Sequence, residues 1–295
     1  MKKTFIILSA LLISLFAFTQ CNHENGDDNG NGNGNGNGNV SQCAVTDFDG
    51  NCYDTVHIGD QVWMKSNLRT THFRDGSPIP LGSSANHSGP WYFKPSTTEA
   101  PGYSSETYGL YYSEEAVHDT RGLCPTGWHV PTISDWEELG MHVSTHYENY
   151  FNFVHNFGQD FYSEFEFYME EDLDEMYDEP IPHSFPIAKA LASQTGWAAS
   201  EYSENPSTIR YPAIHPEYNN TTGFSAYPAG LFTFEDNPPF DWYGETSFLW
   251  TSMKQIDGYG DYEGSWLYEI DGNEIYLEPD VTDNNYGLSV RCVKD

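Results

Sequence analysis

The chain has 295 residues with 44 acidic and 12 basic side chains, a formal net charge of −32 at pH 7. A polypeptide this acidic does not hold a nucleic-acid backbone or an anionic lipid surface by charge, whereas divalent cations and uncharged ligands remain open to it. Aromatic residues make up 16% of the chain, and with frequent Gly and Pro and little helical periodicity they indicate a fold of strands and long loops.

Residues 1–20 have the build of an export signal peptide. Lys2 and Lys3 supply the positive start, and residues 5–18 are an apolar run, short of the roughly 20 residues that cross a bilayer. Cys21 follows directly, an arrangement that resembles a bacterial lipoprotein signal, in which this cysteine is lipidated and becomes the first mature residue. Removing the leader takes away two lysines and no acid, so the mature chain is more acidic still. Residues 21–42 then read as a tether. Asn22-His23-Glu24-Asn25-Gly26-Asp27-Asp28 is followed by alternating Asn and Gly from 29 to 39, which offers nothing to bury and much backbone entropy to lose. The expected location is the outer membrane, on the cell surface, with the lipid anchor as the only membrane contact.

Residues 43–295 are expected to form the folded domain. Its four cysteines, Cys43, Cys52, Cys124 and Cys292, suggest two disulfides in an exported chain, and three pairings are open. Cys43 and Cys52 flank a hairpin-like turn and are expected to pair locally. Cys124 with Cys292 would then bring the last strand beside the middle of the chain. No CxxC or Cys/His zinc spacing occurs.

Within that domain, residues 43–70 read as a hairpin: Cys52-Tyr53-Asp54-Thr55-Val56-His57-Ile58, a turn at Gly59-Asp60, then Gln61-Val62-Trp63-Met64. The run Asp47-Phe48-Asp49-Gly50-Asn51 resembles part of a calcium loop, but Ile58 stands where the bidentate Glu would be, so it is read as a turn. Residues 71–107 are loop-like, with Trp91-Tyr92-Phe93 as a possible stacking platform or core edge. The organising stretch comes next: Cys124-Pro125-Thr126-Gly127-Trp128-His129-Val130-Pro131-Thr132. Pro125 to Gly127 reads as a turn, and Pro131 ends the extended piece. Thr132 or Ser134 then caps a helix, with Asp135 or Glu137 as the return partner, and Trp136, Leu139 and Val143 give that helix an inner face.

Residues 159–179 stand apart as an acid–aromatic insertion, read as a solvated excursion. A short helical stretch at 187–192 precedes Thr195-Gly196-Trp197, and strand and turn segments follow at 223–230, 247–252, 265–270 and 287–293.

Five blocks in order carry a resemblance to a known family: Val62-Trp63-Met64-Lys65-Ser66-Asn67-Leu68, the Cys124–Pro131 block, Gly223-Phe224-Ser225-Ala226-Tyr227-Pro228-Ala229-Gly230, Trp250-Thr251-Ser252, and Gly287-Leu288-Ser289-Val290-Arg291-Cys292-Val293. Together they resemble the Fibrobacter succinogenes major paralogous domain of bacterial surface lipoproteins, a family similar to the C-type-lectin-like fold shared with formylglycine-generating enzymes. The resemblance implies an α+β, C-type-lectin-like domain with small twisted antiparallel sheets, few short helices and long loops. It brings no catalytic residues.

The expected function is therefore non-enzymatic: a surface-anchored binding or adhesion module for an extracellular glycan or a surface protein. A structural part of a surface fibre or of a nutrient-uptake complex is the alternative. Ligand-contact candidates are Trp91, Tyr92, Trp242 and Tyr243, since aromatic faces stack on sugars and anchor interfaces. Glu278-Pro279-Asp280 resembles the Glu-Pro-Asn sugar–calcium motif of C-type lectins, and Asp283, Asn284 and Asn285 would complete an all-oxygen calcium site, though no Trp-Asn-Asp follows. No other cofactor is implied. Formylglycine chemistry needs two free thiols close together, which oxidised Cys124 and Cys292 would not provide. Gly-x-Ser-x-Gly and His-Glu-x-x-His are both absent.

Overall fold

The computed structural model describes residues 43–83, 88–96, 98–147, 186–200, 210–234, 239–256, 262–282 and 286–295, with the side chains of 262 and 263 excepted. The leader, Cys21, the tether, the acidic stretch 159–179 and Asp283, Asn284 and Asn285 lie outside the described residues. Among the described residues no helix is long and apolar enough to cross a membrane.

The expected first hairpin forms from β3 (Thr55–Ile58) and β4 (Gln61–Met64), after the short pair β1 (Val45–Thr46) and β2 (Cys52–Tyr53). Gly59 turns it with φ 62°, a value glycine adopts without cost. Trp63 on β4 is fully buried. The chain then runs through β5 (Tyr92–Phe93), α1 (Ser105–Tyr108), β6 (Tyr111–Ser113) and α2 (Glu114–Val117) to β7 (Trp128–His129). Helix α3 (Ile133–His146) follows at once. Of the two possible caps, Thr132 is the one used: its hydroxyl accepts from the Asp135 amide, and the Asp135 carboxylate accepts from the Thr132 amide at 2.7 Å. Trp136, Leu139 and Val143 are all fully buried, as their spacing predicts.

The short helix α4 (Ile187–Leu191) matches its expected place. Residues 223–230 form no named strand. Ser225 sits at φ 60° and Gly223 at φ 80°, and Arg291 takes the carbonyls of Phe224 and Ser225 as acceptors, leaving those carbonyls engaged by a side chain. Strands β8 (Leu231–Thr233), β9 (Phe240–Asp241), β10 (Thr246–Ile256), β11 (Tyr262–Asp271), β12 (Glu278–Thr282), β13 (Tyr286–Leu288) and β14 (Val293–Lys294) complete the chain.

Each pairing of these strands is antiparallel among the described residues. Among the described residues they form four sheets, in the orders β1-β2, β3-β4-β14-β7, β5-β6-β13-β8-β9 and β10-β11-β12. Small antiparallel sheets with a few short helices make this an α+β domain. The final strand lies between β4 and β7, pairing Val293 with both Trp63 and His129, and the disulfide Cys124–Cys292 sits beside that junction. Cys43–Cys52 is the second, local link. Both pairings are the ones expected from the sequence.

Among the described residues the interior has three apolar clusters. One packs Met64, Leu68, Phe73, Tyr112, Trp250 and Leu288 around the long disulfide. The second gathers Trp63, Trp136, Phe224, Leu249 and Tyr268 between α3, α4 and β10. The third is aromatic, with Trp91, Tyr103, Tyr111 and Phe232. Arg291 ties the family blocks together inside this core: fully buried, its guanidinium donates to Asn67 Oδ1 at 2.7 Å and lies 4.4 Å over the Phe224 ring. Its acceptors come from two other blocks, Asn67 from the first and the Phe224 and Ser225 carbonyls from the 223–230 block, which is how a buried cation is tolerated.

Candidate functional site

The four aromatic candidates separate sharply by burial. Trp91 is 2% exposed and packs edge-on against Phe232 and Phe234, where Gly82 and Gly287 leave room for its ring. That indole is core. Tyr92 is partly buried and packs against the first cluster. Tyr243 is half-buried with its ring 5.2 Å from that of Tyr108, and burial pushes its hydroxyl pKa up. Trp242 alone among the four stands out, with 54% of its surface exposed.

Trp242 is also held at φ 59°, a left-handed conformation that costs an L residue with a Cβ roughly 1–2 kcal/mol. The turn explains how it is held. The Trp242 carbonyl accepts from the amides of Glu245 at 2.9 Å and Thr246 at 3.0 Å, while Gly244 donates to Pro228 at 2.9 Å. Gly230, from the 223–230 block, lies so close that any Cβ there would collide with the backbone of Asp241, Trp242 and Tyr243. The indole is thus presented to solvent on a turn that the surrounding backbone fixes. Sequence reasoning placed Trp242 among the candidates on residue type; its backbone strain carries no sequence signal.

Two residues further on, the same turn enters the wall of a cleft of about 290 Å3. Small residues shape it: Ala198, Ala213, Gly244 and Gly272. Gly272 admits no side chain, because a Cβ would meet the Glu245 carbonyl at 2.9 Å and the Trp197 ring at 3.2 Å. The polar groups are Ser200, Glu245 and Asn273. Ser200 donates to Asn273 Oδ1 at 2.5 Å, and the Asn273 backbone N–H donates to Asp271 Oδ1 at 2.7 Å. Asp271 in turn accepts from the Thr246 hydroxyl at 2.5 Å. No short motif marks this cleft, since its residues come from four separate segments.

The calcium candidates Glu278 and Asp280 lie on β12. Glu278 is paired across the ladder with Glu269 on β11, and the two carboxyls share a hydrogen bond that, after burial, raises the Glu269 pKa to about 8. Among the described residues no group of three or more His, Cys, Asp or Glu is placed to hold a metal ion. The Asp47–Asn51 run is a turn, as expected: Asp47 accepts from Asn51 and from the Tyr53 hydroxyl at 2.6 Å, and Asp49 accepts from Thr70, Thr71 and His72. Both carboxylates are spent on protein donors.

Two polar features were not legible in the sequence. His118 Nε2 lies 2.7 Å from Ser265 Oγ, and burial lowers the imidazole pKa to about 4. Ser265 is fully buried, so this pair joins α2 to β11 and presents no nucleophile. Lys189 is fully buried on α4, its ammonium donating to the carbonyls of Tyr211 at 3.0 Å and Ile214 at 2.5 Å. It thereby pins the segment that carries Ala213 into the cleft wall.

No curated protein and no solved structure matches the chain. Residues 56–294 match the family described as the Fibrobacter succinogenes major domain, and with most of its length inside that match the chain belongs to this family.

Proposed function

We propose that the protein is a surface-anchored, non-catalytic outer-membrane lipoprotein whose domain binds an extracellular glycan or a surface protein. The observation that carries this reading is Trp242: a large apolar side chain exposed to water, on a backbone conformation that costs free energy. Local strain of this kind concentrates where a side chain must be presented, and Trp is the residue most enriched at the energetic centres of interfaces. The leader, Cys21 and the Asn/Gly tether support surface display. The α+β build with long connections agrees with a C-type-lectin-like domain. The Cys124–Cys292 disulfide removes the thiols that formylglycine-type chemistry would use, which supports a binding role over an enzymatic one.

The test uses the full chain, purified in detergent and screened on a glycan array and on immobilised outer-membrane and host-surface proteins, with calcium and then with chelator. Retention on one class, lost in Trp242→Ala, is the expected result. Retention that needs calcium would return attention to Glu278 and Asp280. No retention on either class, together with resistance of the domain to protease added to intact cells, would overturn the proposal in favour of a periplasmic structural part.

A further inference from the structure

We propose that the cleft beside Trp242 is a saccharide subsite that takes one uncharged pyranose ring. The inference rests on the binding reading above and names its ligand class.

Size comes first. A volume of about 290 Å3 lies at the lower end of ligand pockets, near roughly 300 Å3. That suits a single ring with the rest of a chain outside. Shape agrees, because the walls are Ala and Gly, whose missing side chains bring backbone groups to the ligand. Gly272 and Gly244 are the two positions where this matters most: the first is closed to any Cβ by the Glu245 carbonyl, and the second needs φ 85°.

Polar chemistry then separates the ligand classes. Asn273 Oδ1 is already an acceptor for the Ser200 hydroxyl, which fixes the amide's orientation and leaves its Nδ2 as a donor to the cleft. Glu245 is exposed and supplies acceptor oxygens on the same wall. A fixed amide donor beside a carboxylate acceptor matches neighbouring sugar hydroxyls, each of which both donates and accepts. An anionic sugar is disfavoured, since Glu245 lines the cleft, Asp271 lies one hydrogen bond behind Asn273, and the chain as a whole carries −32. A cationic ligand would find one exposed carboxylate and a single indole in place of an aromatic cage, and Asn273 Nδ2 would face it with a donor. Trp242 is not part of the cleft lining but stands two residues before Gly244 on the same turn, and its exposed indole is the apolar face assigned to the C–H side of the ligand.

The test is saturation-transfer NMR on the full chain, with glucose, galactose, mannose and N-acetylglucosamine as neutral probes, N-acetylneuraminic acid as the anion, and choline as the cation. At least one neutral sugar is expected to show transfer, with a titrated affinity in the millimolar range. Three variants localise it. Ala198→Leu fills the cleft from an exposed position and is expected to abolish transfer. Asn273→Ala is expected to weaken binding at least 10-fold. Trp242→Gly removes the indole while suiting the left-handed backbone, so binding is expected to fall at least 10-fold with thermal stability kept. Signal only from choline or from the anionic sugar overturns the assignment, as does neutral-sugar binding that Ala198→Leu leaves intact. If no monosaccharide binds but the full chain is still retained on an array or a protein surface in a Trp242-dependent way, the subsite is wrong and the broader function stands. If both fail, both fall.

Discussion

Glu269 and Glu278 face each other from β11 and β12, an arrangement in which like charges directly opposite are destabilising. Burial first, and then the hydrogen bond it donates to Glu278, raise the Glu269 carboxyl to about 8, with Asp280 and Asp271 adding to the effect. The folded state therefore holds a proton that the unfolded chain releases near 4.5. A carboxyl raised on folding contributes stability that is complete below its unfolded value and is lost as pH rises through the folded one. This pair accordingly contributes a fall in the urea midpoint between pH 5 and pH 8, opposed by His118 and Lys189, whose pKa values burial lowers. His129, held above its ordinary value first by its bond to Asp135, shifts stability in the same direction as the pair, so the comparison that isolates the acid pair is with Glu269→Gln. That variant is expected to remove the pair's fall from the slope and to gain stability at pH 8; an unchanged slope would remove the pair from the account. Nothing in the sequence announced Glu269, because its partner is fixed by strand register, and register was not readable from residue type.

At the scale of elements, what the sequence made legible was local. The α3 start is an example: a cap, its return carboxylate and the inner face all lie within twelve residues, so spacing identified the inner face and narrowed the cap to Thr132 or Ser134, of which the structure uses Thr132. The structure adds a reason for the strength of this helix start. Asp135 closes the capping box with Thr132 and also meets His129 Nε2 at 3.2 Å, while His129 Nδ1 reaches Asp295 at 2.8 Å. The cap thus joins α3 to β7 and to the end of the chain. Thr132→Ala is expected to cost about 1–2 kcal/mol by chemical denaturation, and Thr132→Ser to restore most of it. A loss confined to a few tenths would mean that the cap does not secure the junction. The sheets were less legible, for a physical reason. The order β5-β6-β13-β8-β9 is built from strands of two or three residues, too short to show alternation, with partners such as Gly287 and Ser113 far apart in sequence. Residues 223–230 show the other side of this: their carbonyls are claimed by Arg291, a contact that no periodicity reports.

For the whole molecule, the two disulfides act on very different lengths of chain. Cys43–Cys52 spans 9 residues and Cys124–Cys292 spans 168. If a cross-link stabilises mainly by restricting the unfolded chain, the short loop is worth about 3 kcal/mol and the long one about 5 kcal/mol. Packing points the same way. Cys124 and Cys292 are fully buried in the first core cluster, whereas Cys52 is exposed. Replacing Cys124 and Cys292 together by Ser also leaves two hydroxyls in an apolar setting, which adds a desolvation cost where no partner exists. The double variant Cys124→Ser/Cys292→Ser is therefore expected to lower the thermal midpoint much more than Cys43→Ser/Cys52→Ser. The consequence reaches the cleft. The long link lies beside β14, and Arg291 one residue earlier in the chain donates to Phe224 and Ser225, at the start of the segment that leads through Pro228 and Gly230 to the Trp242 turn. Loss of ligand retention in the long-loop variant, measured below its own melting temperature, would show that the core sets the position of the exposed indole. Retention with a lowered midpoint would confine the disulfide to stability, and equal midpoints for the two double variants would remove loop length as the source of the difference.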